Sequence, residues 1–174
     1  MKKYELTNET IEYKGKKLYR IKALIDFGNV EKGARGGFVE KEENLSMSGN
    51  AWVCDNAQVS GDARVSGNAQ VSGDARVCGD ANVCGDANVC GDAQVDKSIN
   101  YAVIKGFGTC YRSTTFFRCQ DKTVKVSCGC FLGTIDEFRN QVKNTRGGKI
   151  AKEYLMIADL MEMHFCEAED EYDD

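Results

Sequence analysis

Acidic side chains recur at a six-residue spacing through the middle of this 174-residue chain. Carboxylates repeated along a rigid element could offer a basic partner a regular row of negative charge, as a nucleic-acid mimic does. The same positions also suit tight bends, because Asp and Asn tolerate the backbone conformation of a corner. Both interpretations stay open at this stage. The candidate carboxylates of the row are Asp62, Asp74, Asp80, Asp86 and Asp92.

Aromatic and basic side chains form a second set of candidate binding residues. The only tryptophan would anchor an interface if it were exposed, and packing against an N-terminal cap is the alternative. Two arginines are the only cations of residues 47–96, and the basic balance further downstream allows contact with RNA or DNA. The set consists of Trp52, Arg64, Arg76, Tyr111, Arg112 and Arg118.

Nine cysteines raise the question of a metal site. Cys128 and Cys130, with Cys110 and Cys119 upstream, could supply four thiolates to zinc. A C-x-C spacing is weaker evidence than paired C-x-x-C motifs, and alternation along a strand would also place both thiols on one face as small core residues. Because the first residues lack the hydrophobic core of an export signal, we expect reduced thiols. The sequence predicts no metal and no cofactor, with Cys128 and Cys130 as weak metal candidates.

These residues are positioned by a repeat of six residues that runs from Met47 to Val95. An apolar residue opens each hexad, alanine follows four places later, and Gly-Asp or Gly-Asn stands between them in all hexads but one. Ala-x-Val predicts a short strand with both side chains inward, and the Gly-containing pair predicts a corner. Val39 and Leu45 fall in the alanine register, so an irregular coil is expected before the first hexad. The repeat therefore predicts a parallel β-helix in a mainly β chain.

The hexads resemble the hexapeptide repeat of left-handed β-helices, in which three hexads form one triangular coil. The left hand is implied by this resemblance alone. Residues eighteen apart would then stack, which predicts three edges of Asp and Asn along the helix. Many members of the superfamily are homotrimeric acyltransferases whose general base is a histidine at the seam between subunits. The one histidine here, His164, lies outside the repeat, and no long loop interrupts the hexads.

The segments before the hexads resemble β-helix proteins of bacteria and their phages. The stretches KYELT and LYRIKAL, followed by the hexads, carry this likeness. Some of those relatives are labelled transferases or polymer-forming proteins from their fold alone, so the resemblance transfers no catalytic residue. It implies a phage-encoded protein that acts on a bacterial host.

Different patterns flank the repeat. Lys14-Gly15-Lys16 predicts the turn of a hairpin. Thr134 and Glu137 have the spacing of a capping box, which predicts a helix start, and a second helix is expected over about 150–165. We predict an N-terminal β cap (1–40), a hexapeptide-repeat β-helix (41–104), a small C-terminal α+β domain of ββαα order (105–165) and a disordered acidic tail (166–174).

Charge is distributed unevenly along the chain, whose formal net charge is −4. Counting Lys and Arg against Asp and Glu gives +2 for residues 1–46, −5 for 47–96, +5 for 97–165 and −6 for 166–174. This polarity concerns partners and solubility more than fold. No apolar run approaches the ~18 residues that a membrane span needs. We expect a soluble protein of the bacterial host cytoplasm that does not associate with membranes.

These observations favour a non-catalytic binding protein. Its acidic β-helix and C-terminal domain would bind and inhibit a host macromolecule, as an anti-defence protein of the anti-CRISPR type does, with a nucleic-acid-binding host enzyme as the expected partner. Small residues after each valine would let solenoids approach closely, which favours a homodimer or homotrimer. Two alternatives stay open: an acyl-CoA-dependent acyltransferase, which only the fold implies, and a structural, polymer-forming subunit.

Overall fold

The computed structural model describes residues 2–166 and begins with an antiparallel hairpin. Strands β1 (Tyr4–Tyr13) and β2 (Lys16–Ala23) pair along their length, and β3 (Arg35–Val39) pairs with β2. The hairpin turns at Lys14 and Gly15, whose φ angles of 50° and 73° are both positive, as in the tight turns that match the twist of two strands. The hairpin predicted from the sequence is confirmed.

A parallel β-solenoid of about three turns follows the hairpin. Its strands are two residues long, and each of the first five pairs in parallel with the strand eighteen residues further on. Three faces result, with strand orders β3-β5-β8-β11, β4-β7-β10 and β6-β9, so the first face continues the N-terminal sheet. The strands are β4 (Trp52–Val53), β5 (Gln58–Val59), β6 (Arg64–Val65), β7 (Gln70–Val71), β8 (Arg76–Val77), β9 (Asn82–Val83), β10 (Asn88–Val89) and β11 (Gln94–Val95).

The interior of the solenoid is built from the alanine and valine of each hexad. Every one of these side chains from Ala51 to Val95 is at most 1 % exposed, which confirms the predicted inward face. Small and medium side chains suit the narrow space between the three faces. Between coils, backbone N–H groups donate to carbonyls of the next coil, for example Cys54 N to Val71 O at 2.9 Å.

The coil before the first hexads differs from the prediction. Val39 and Leu45 pair in parallel with Val59 and Val65, twenty residues further on, so they occupy the valine position and not the alanine position. The prediction of the alanine register was wrong, because the chain accommodates two extra residues between Leu45 and β4. Met47, which seemed from the repeat to open a hexad, is only partly buried.

Aromatic rings and one lysine close the N-terminal end of the solenoid. Trp52 is 4 % exposed and makes edge-to-face contacts with Tyr4 and Phe27, with ring centroids 6.3 and 5.4 Å away. The Lys3 ammonium donates to Ala51 O at 3.0 Å and lies 4.8 Å from the centre of the Phe27 ring. The structure thus shows the cap-packing alternative for the tryptophan.

The C-terminal unit has four strands and two helices. The sequence predicted two strands, but Tyr101–Ile104, assigned to the decaying repeat, is the first strand of this antiparallel sheet. A second strand was missed because it follows a turn of only two residues after Cys128. The elements are β12 (Tyr101–Ile104), β13 (Thr114–Arg118), β14 (Val124–Cys128), β15 (Phe131–Thr134), α1 (Ile135–Thr145) and α2 (Gly148–Phe165).

The predicted capping box begins α1. Glu137 N donates to Thr134 Oγ1 at 3.2 Å, and Thr134 N donates to a Glu137 carboxylate oxygen at 2.7 Å. The helices pack on one face of the sheet through a second apolar core, separate from the solenoid interior. No helix among residues 2–166 is long and apolar enough to cross a membrane.

The other face of this sheet closes the C-terminal end of the solenoid. Phe117 and Cys119 belong to the solenoid core and are 0 and 2 % exposed. Asn88 N donates to Thr115 Oγ1 at 2.9 Å, and the Lys125 ammonium donates to Asp92 at 2.6 Å. The four-stranded sheet therefore serves both as a lid on the solenoid and as the base on which the two helices rest.

Candidate functional site

The corner Asp and Asn residues form ladders along the edges of the solenoid. Asn50 donates to Asn68 at 3.2 Å, and Asn68 donates to Asp86 at 3.0 Å. On another edge Asn56 donates to Asp74 at 3.3 Å. Each rung joins residues eighteen apart, and at these rungs an amide stands where a second carboxylate would repel the first.

Lysines from the flanking segments neutralise three of the five candidate carboxylates. Each lysine lowers the pKa of its aspartate through a hydrogen bond between the two side chains. Asp74 accepts from an amide, and among residues 2–166 only Asp80 of the five has no hydrogen bond or ion pair. The row of bare negative charge expected of a mimic is therefore interrupted. The ion pairs are Lys41–Asp62 at 3.0 Å, Lys125–Asp92 at 2.6 Å and Lys105–Asp86.

One group of three potential metal ligands occurs among the described residues. Asp92, Cys119 and Asp121 bring their ligand atoms within 4.8 Å of one another. The Lys125 ammonium already lies 2.6 Å from Asp92, where a cation would bind. Burial raises the pKa of Cys119 to about 12, which keeps the thiol protonated. These residues therefore hold a lysine and do not suit a divalent metal.

The four thiols considered for zinc do not converge. Cys119 follows β13, whereas Cys128 pairs with the opposite end of that strand, at Thr114. Four residue steps along a strand separate these ends by roughly 13 Å. Gly129, with φ of 63°, turns the chain between Cys128 and Cys130, so the strand alternation assumed for this pair was wrong.

Two of the predicted arginines have structural partners. The Arg76 guanidinium stacks on the Tyr13 ring at 4.8 Å, and Arg118 donates to the carbonyl of Phe165 at 2.9 Å. Arg76 thus ties the solenoid to the N-terminal hairpin, and Arg118 ties the sheet to the end of α2. Arg64 is exposed on the third face of the solenoid.

Arg112, one of the two remaining predicted residues, lines a cavity in the C-terminal unit. It lies between the loop after β12, the end of β14 and the junction of the two helices, and its volume is about 120 Å³. Two arginines, from the loop and from the end of α1, face it together with neutral donors. We call this feature the basic cleft and define it by Cys110, Arg112, Gln141, Thr145, Arg146 and Tyr154.

The loop holds three successive residues in different environments. Cys110 and Arg112 line the basic cleft, whereas the Tyr111 side chain between them is 68 % exposed. Tyr111 has a φ of 49°, a left-handed conformation that costs a residue with a side chain roughly 1–2 kcal/mol. Hydrogen bonds from Thr109 and Arg112 lower the pKa of the exposed Cys110 thiol. Strain of this kind clusters at binding and catalytic sites.

A run of cations surrounds the junction between the helices. Lys143, Arg146, Lys149 and Lys152 follow one another at every third position, with no acidic residue among them. Glu153 pairs with Lys149 at 3.4 Å, and Arg146 lines the basic cleft together with Arg112. This spacing was visible in the sequence, and it is the signal that would have pointed to Arg146 as a site residue.

The single histidine contributes nothing to the solenoid. His164 is exposed near the end of α2, with its ring 4.8 Å from that of Phe165. Among residues 2–166, no histidine lies on a face of the solenoid. Comparison of the sequence with protein-family models gives no match, and comparison with curated proteins gives none.

Proposed function

We propose that this protein binds an anionic partner protein at the basic cleft, without catalysing a reaction. The observation that carries the proposal is that Arg112 and Arg146 line one cavity, and that the exposed Tyr111 directly precedes Arg112 in the chain. Arginine and tyrosine are the residue types most enriched among the residues that dominate binding energy at interfaces. A partner carboxylate between two guanidinium groups would make charge-assisted hydrogen bonds with both.

The charge of the solenoid favours the C-terminal unit as the contact surface. Three carboxylates of the acidic row are already paired with lysines, so a basic partner would have to displace those pairs. Around the cleft, by contrast, Arg112, Lys143 and Arg146 carry no acidic partner among residues 2–166. Charge that has no nearby counter-charge attracts a partner of opposite charge and steers its approach.

A protein suits this surface better than a nucleic acid. The chain as a whole carries a charge of −4, and residues 47–96 carry −5. A long polyanion bound at the cleft would extend toward this acidic solenoid and be repelled by it. A single Asp or Glu side chain of a partner needs only the local cations, and its carboxylate fits a cavity of about 120 Å³.

Narrower hypotheses rest on sequence resemblance. They are that the protein is phage-encoded, that the partner is a nucleic-acid-handling host enzyme which it inhibits, that the solenoid is left-handed as in the hexapeptide-repeat superfamily, and that the chain forms a homodimer or homotrimer. Their test follows identification of the partner: the activity of the purified enzyme should fall as the protein is titrated in. An enzyme that keeps full activity in the complex would leave binding intact and rule out inhibition.

The proposed function is tested with a matched pair of double variants. Arg112→Gln with Arg146→Gln removes the two cleft charges, and Lys97→Gln with Lys122→Gln removes two exposed charges outside it. Each lost charged hydrogen bond is worth about 1.5 kcal/mol or more, so the cleft variant should bind its partner roughly 100-fold more weakly.

Affinity purification from the cells that make the protein supplies the readout. We expect a protein that the wild type and the control variant retain in stoichiometric amount and the cleft variant loses. Equal retention by all three forms would contradict the assignment of the cleft. If nuclease treatment removes the retained material, the partner is a nucleic acid and not a protein.

A further inference from the structure

Three of the nine cysteines gather around one arginine of the basic cleft. The Arg112 guanidinium donates a hydrogen bond to the Cys110 sulfur and interacts electrostatically with Cys128 and Cys130. It also lies against Gly129, because a Cβ atom added there would collide with Arg112 Nη1. The guanidinium therefore joins the loop between β12 and β13 to the turn that follows β14. Binding of a partner carboxylate uses the arginines of the cleft but gives these thiols no role.

The three thiols differ in how a reagent could reach them. Cys128 lines the cavity of the cleft, but it is half-buried and its sulfur accepts a hydrogen bond from Thr114 Oγ1 at 3.2 Å. Cys130 is exposed and lies outside the lining of the cavity. Cys110 is both exposed and part of the lining. It is therefore the thiol that a reagent entering the cleft would meet.

The cavity surrounds this thiol with positive charge. Arg112 and Arg146 both line it, and among residues 2–166 no acidic side chain does. Hydrogen bonds from Thr109 and Arg112 lower the pKa of Cys110, which increases the fraction of thiolate, the nucleophilic form of cysteine. The two guanidinium groups would attract a reagent that carries carboxylates toward the sulfur and would repel a cationic one. Charge thus selects the reagent, and the exposed thiolate reacts with it.

We propose that Cys110 is a modification site for an anionic low-molecular-weight disulfide, whose carboxylates are held by Arg112 and Arg146. The Cys110 thiolate attacks one sulfur of the reagent, so that a new S–S bond forms while the original S–S bond breaks. The departing half leaves as a thiolate and takes up a proton from water. Cys110 is thereby oxidised and the departing half is reduced, so the disulfide itself is the oxidant. The product is a mixed disulfide whose carboxylates stay beside the two guanidinium groups.

Two disulfides of opposite charge test the proposal on the full chain, reduced beforehand. Oxidised glutathione carries a net negative charge at neutral pH, and cystamine is a dication. Mass spectrometry of quenched and digested samples gives the rate of transfer to each cysteine. The ratio of the glutathione rate to the cystamine rate at Cys110 should exceed the ratio at Cys84, an exposed thiol of the solenoid, by about tenfold. Because both reagents meet the same thiolate, this ratio does not depend on the pKa of the thiol.

Salt and charge removal identify the source of the preference. Raising the salt concentration to about 0.5 M screens the arginines and should reduce the ratio at Cys110 without any substitution. Arg112→Gln with Arg146→Gln should lower that ratio about tenfold, whereas the control Lys97→Gln with Lys122→Gln should leave it unchanged. Circular dichroism shows whether both variants fold.

Three results would each overturn the proposal. They are equal ratios at Cys110 and Cys84, a ratio at Cys110 that neither salt nor loss of the two arginines changes, and faster transfer of glutathione to another cysteine. None of the measurements uses the partner protein of the proposed function. A cleft that binds no partner could therefore still show the charge preference at Cys110, and a cleft without this preference could still bind its partner.

Discussion

Two glycines at equivalent corners allow a matched test of how the coils stack. Gly79 and Gly85 have φ angles of 65° and 70°, so alanine is strained to the same degree at both. A Cβ atom at Gly79 would collide with the backbone carbonyl oxygen of Asp96 in the following segment. At Gly85 a Cβ atom would meet nothing within 4 Å. The two substitutions therefore differ in the stacking contact alone.

The expected losses of stability follow from the backbone strain and from the collision of the added Cβ atom. Left-handed strain costs alanine roughly 1–2 kcal/mol, and the loss of glycine's freedom in the unfolded chain returns about 0.4–1 kcal/mol. Gly85→Ala should therefore lower the free energy of unfolding by about 1 kcal/mol. Gly79→Ala adds overpacking against a backbone atom that cannot rotate away, which costs about 1–3 kcal/mol more.

Urea unfolding followed by fluorescence measures both values. Trp52, the only tryptophan, is buried at the N-terminal end and reports on loss of the core, and far-ultraviolet circular dichroism provides a second probe. We expect Gly79→Ala to be the less stable variant by at least 1 kcal/mol. Equal destabilisation, or a larger loss for Gly85→Ala, would refute the stacking of Gly79 against the segment at Asp96.

Two further predictions concern ionisable groups. Iodoacetamide should alkylate Cys110 at a lower pH than Cys54, because hydrogen bonds from Thr109 and Arg112 lower the pKa of the Cys110 thiol while burial raises that of Cys54 to about 11. Mass spectrometry of quenched samples shows the order of alkylation, and Arg112→Gln should shift the alkylation of Cys110 to higher pH. Lys125→Met should lower the free energy of unfolding by less than about 1 kcal/mol near neutral pH, since the ion pair with Asp92 is partly exposed. The pKa of Asp92 is lowered in the folded state, so this stabilisation is present above the ordinary pKa of aspartate and is lost as the pH falls through the folded-state pKa. A difference in stability between wild type and variant that persists at pH ~2 would contradict the assignment.

The site was only partly predictable, because it depends on contacts between distant segments. Tyr111 and Arg112 were selected from residue type. The run of cations from Lys143 to Lys152 is also visible in the sequence, although it was not used to select site residues. That Arg146 lies across a cavity from Arg112 follows from the packing of a loop, a strand end and two helices, which no local pattern specifies. The same holds for the four thiols considered for zinc, since the docking of two strands places Cys119 and Cys128 at opposite ends of one strand pair.

The solenoid was predictable from the repeat alone. A side chain's face in Ala-x-Val depends only on its neighbours, and a corner depends on its own glycine, so periodicity alone predicted the inward alanines and valines. The features at the ends and edges of the solenoid depend on tertiary contacts. The shift of Val39 and Leu45 into the valine register, the burial of Trp52 and the lysines on Asp62, Asp86 and Asp92 all join residues far apart in sequence. Such contacts depend on where whole segments dock, and the six-residue repeat does not specify the docking of segments outside it.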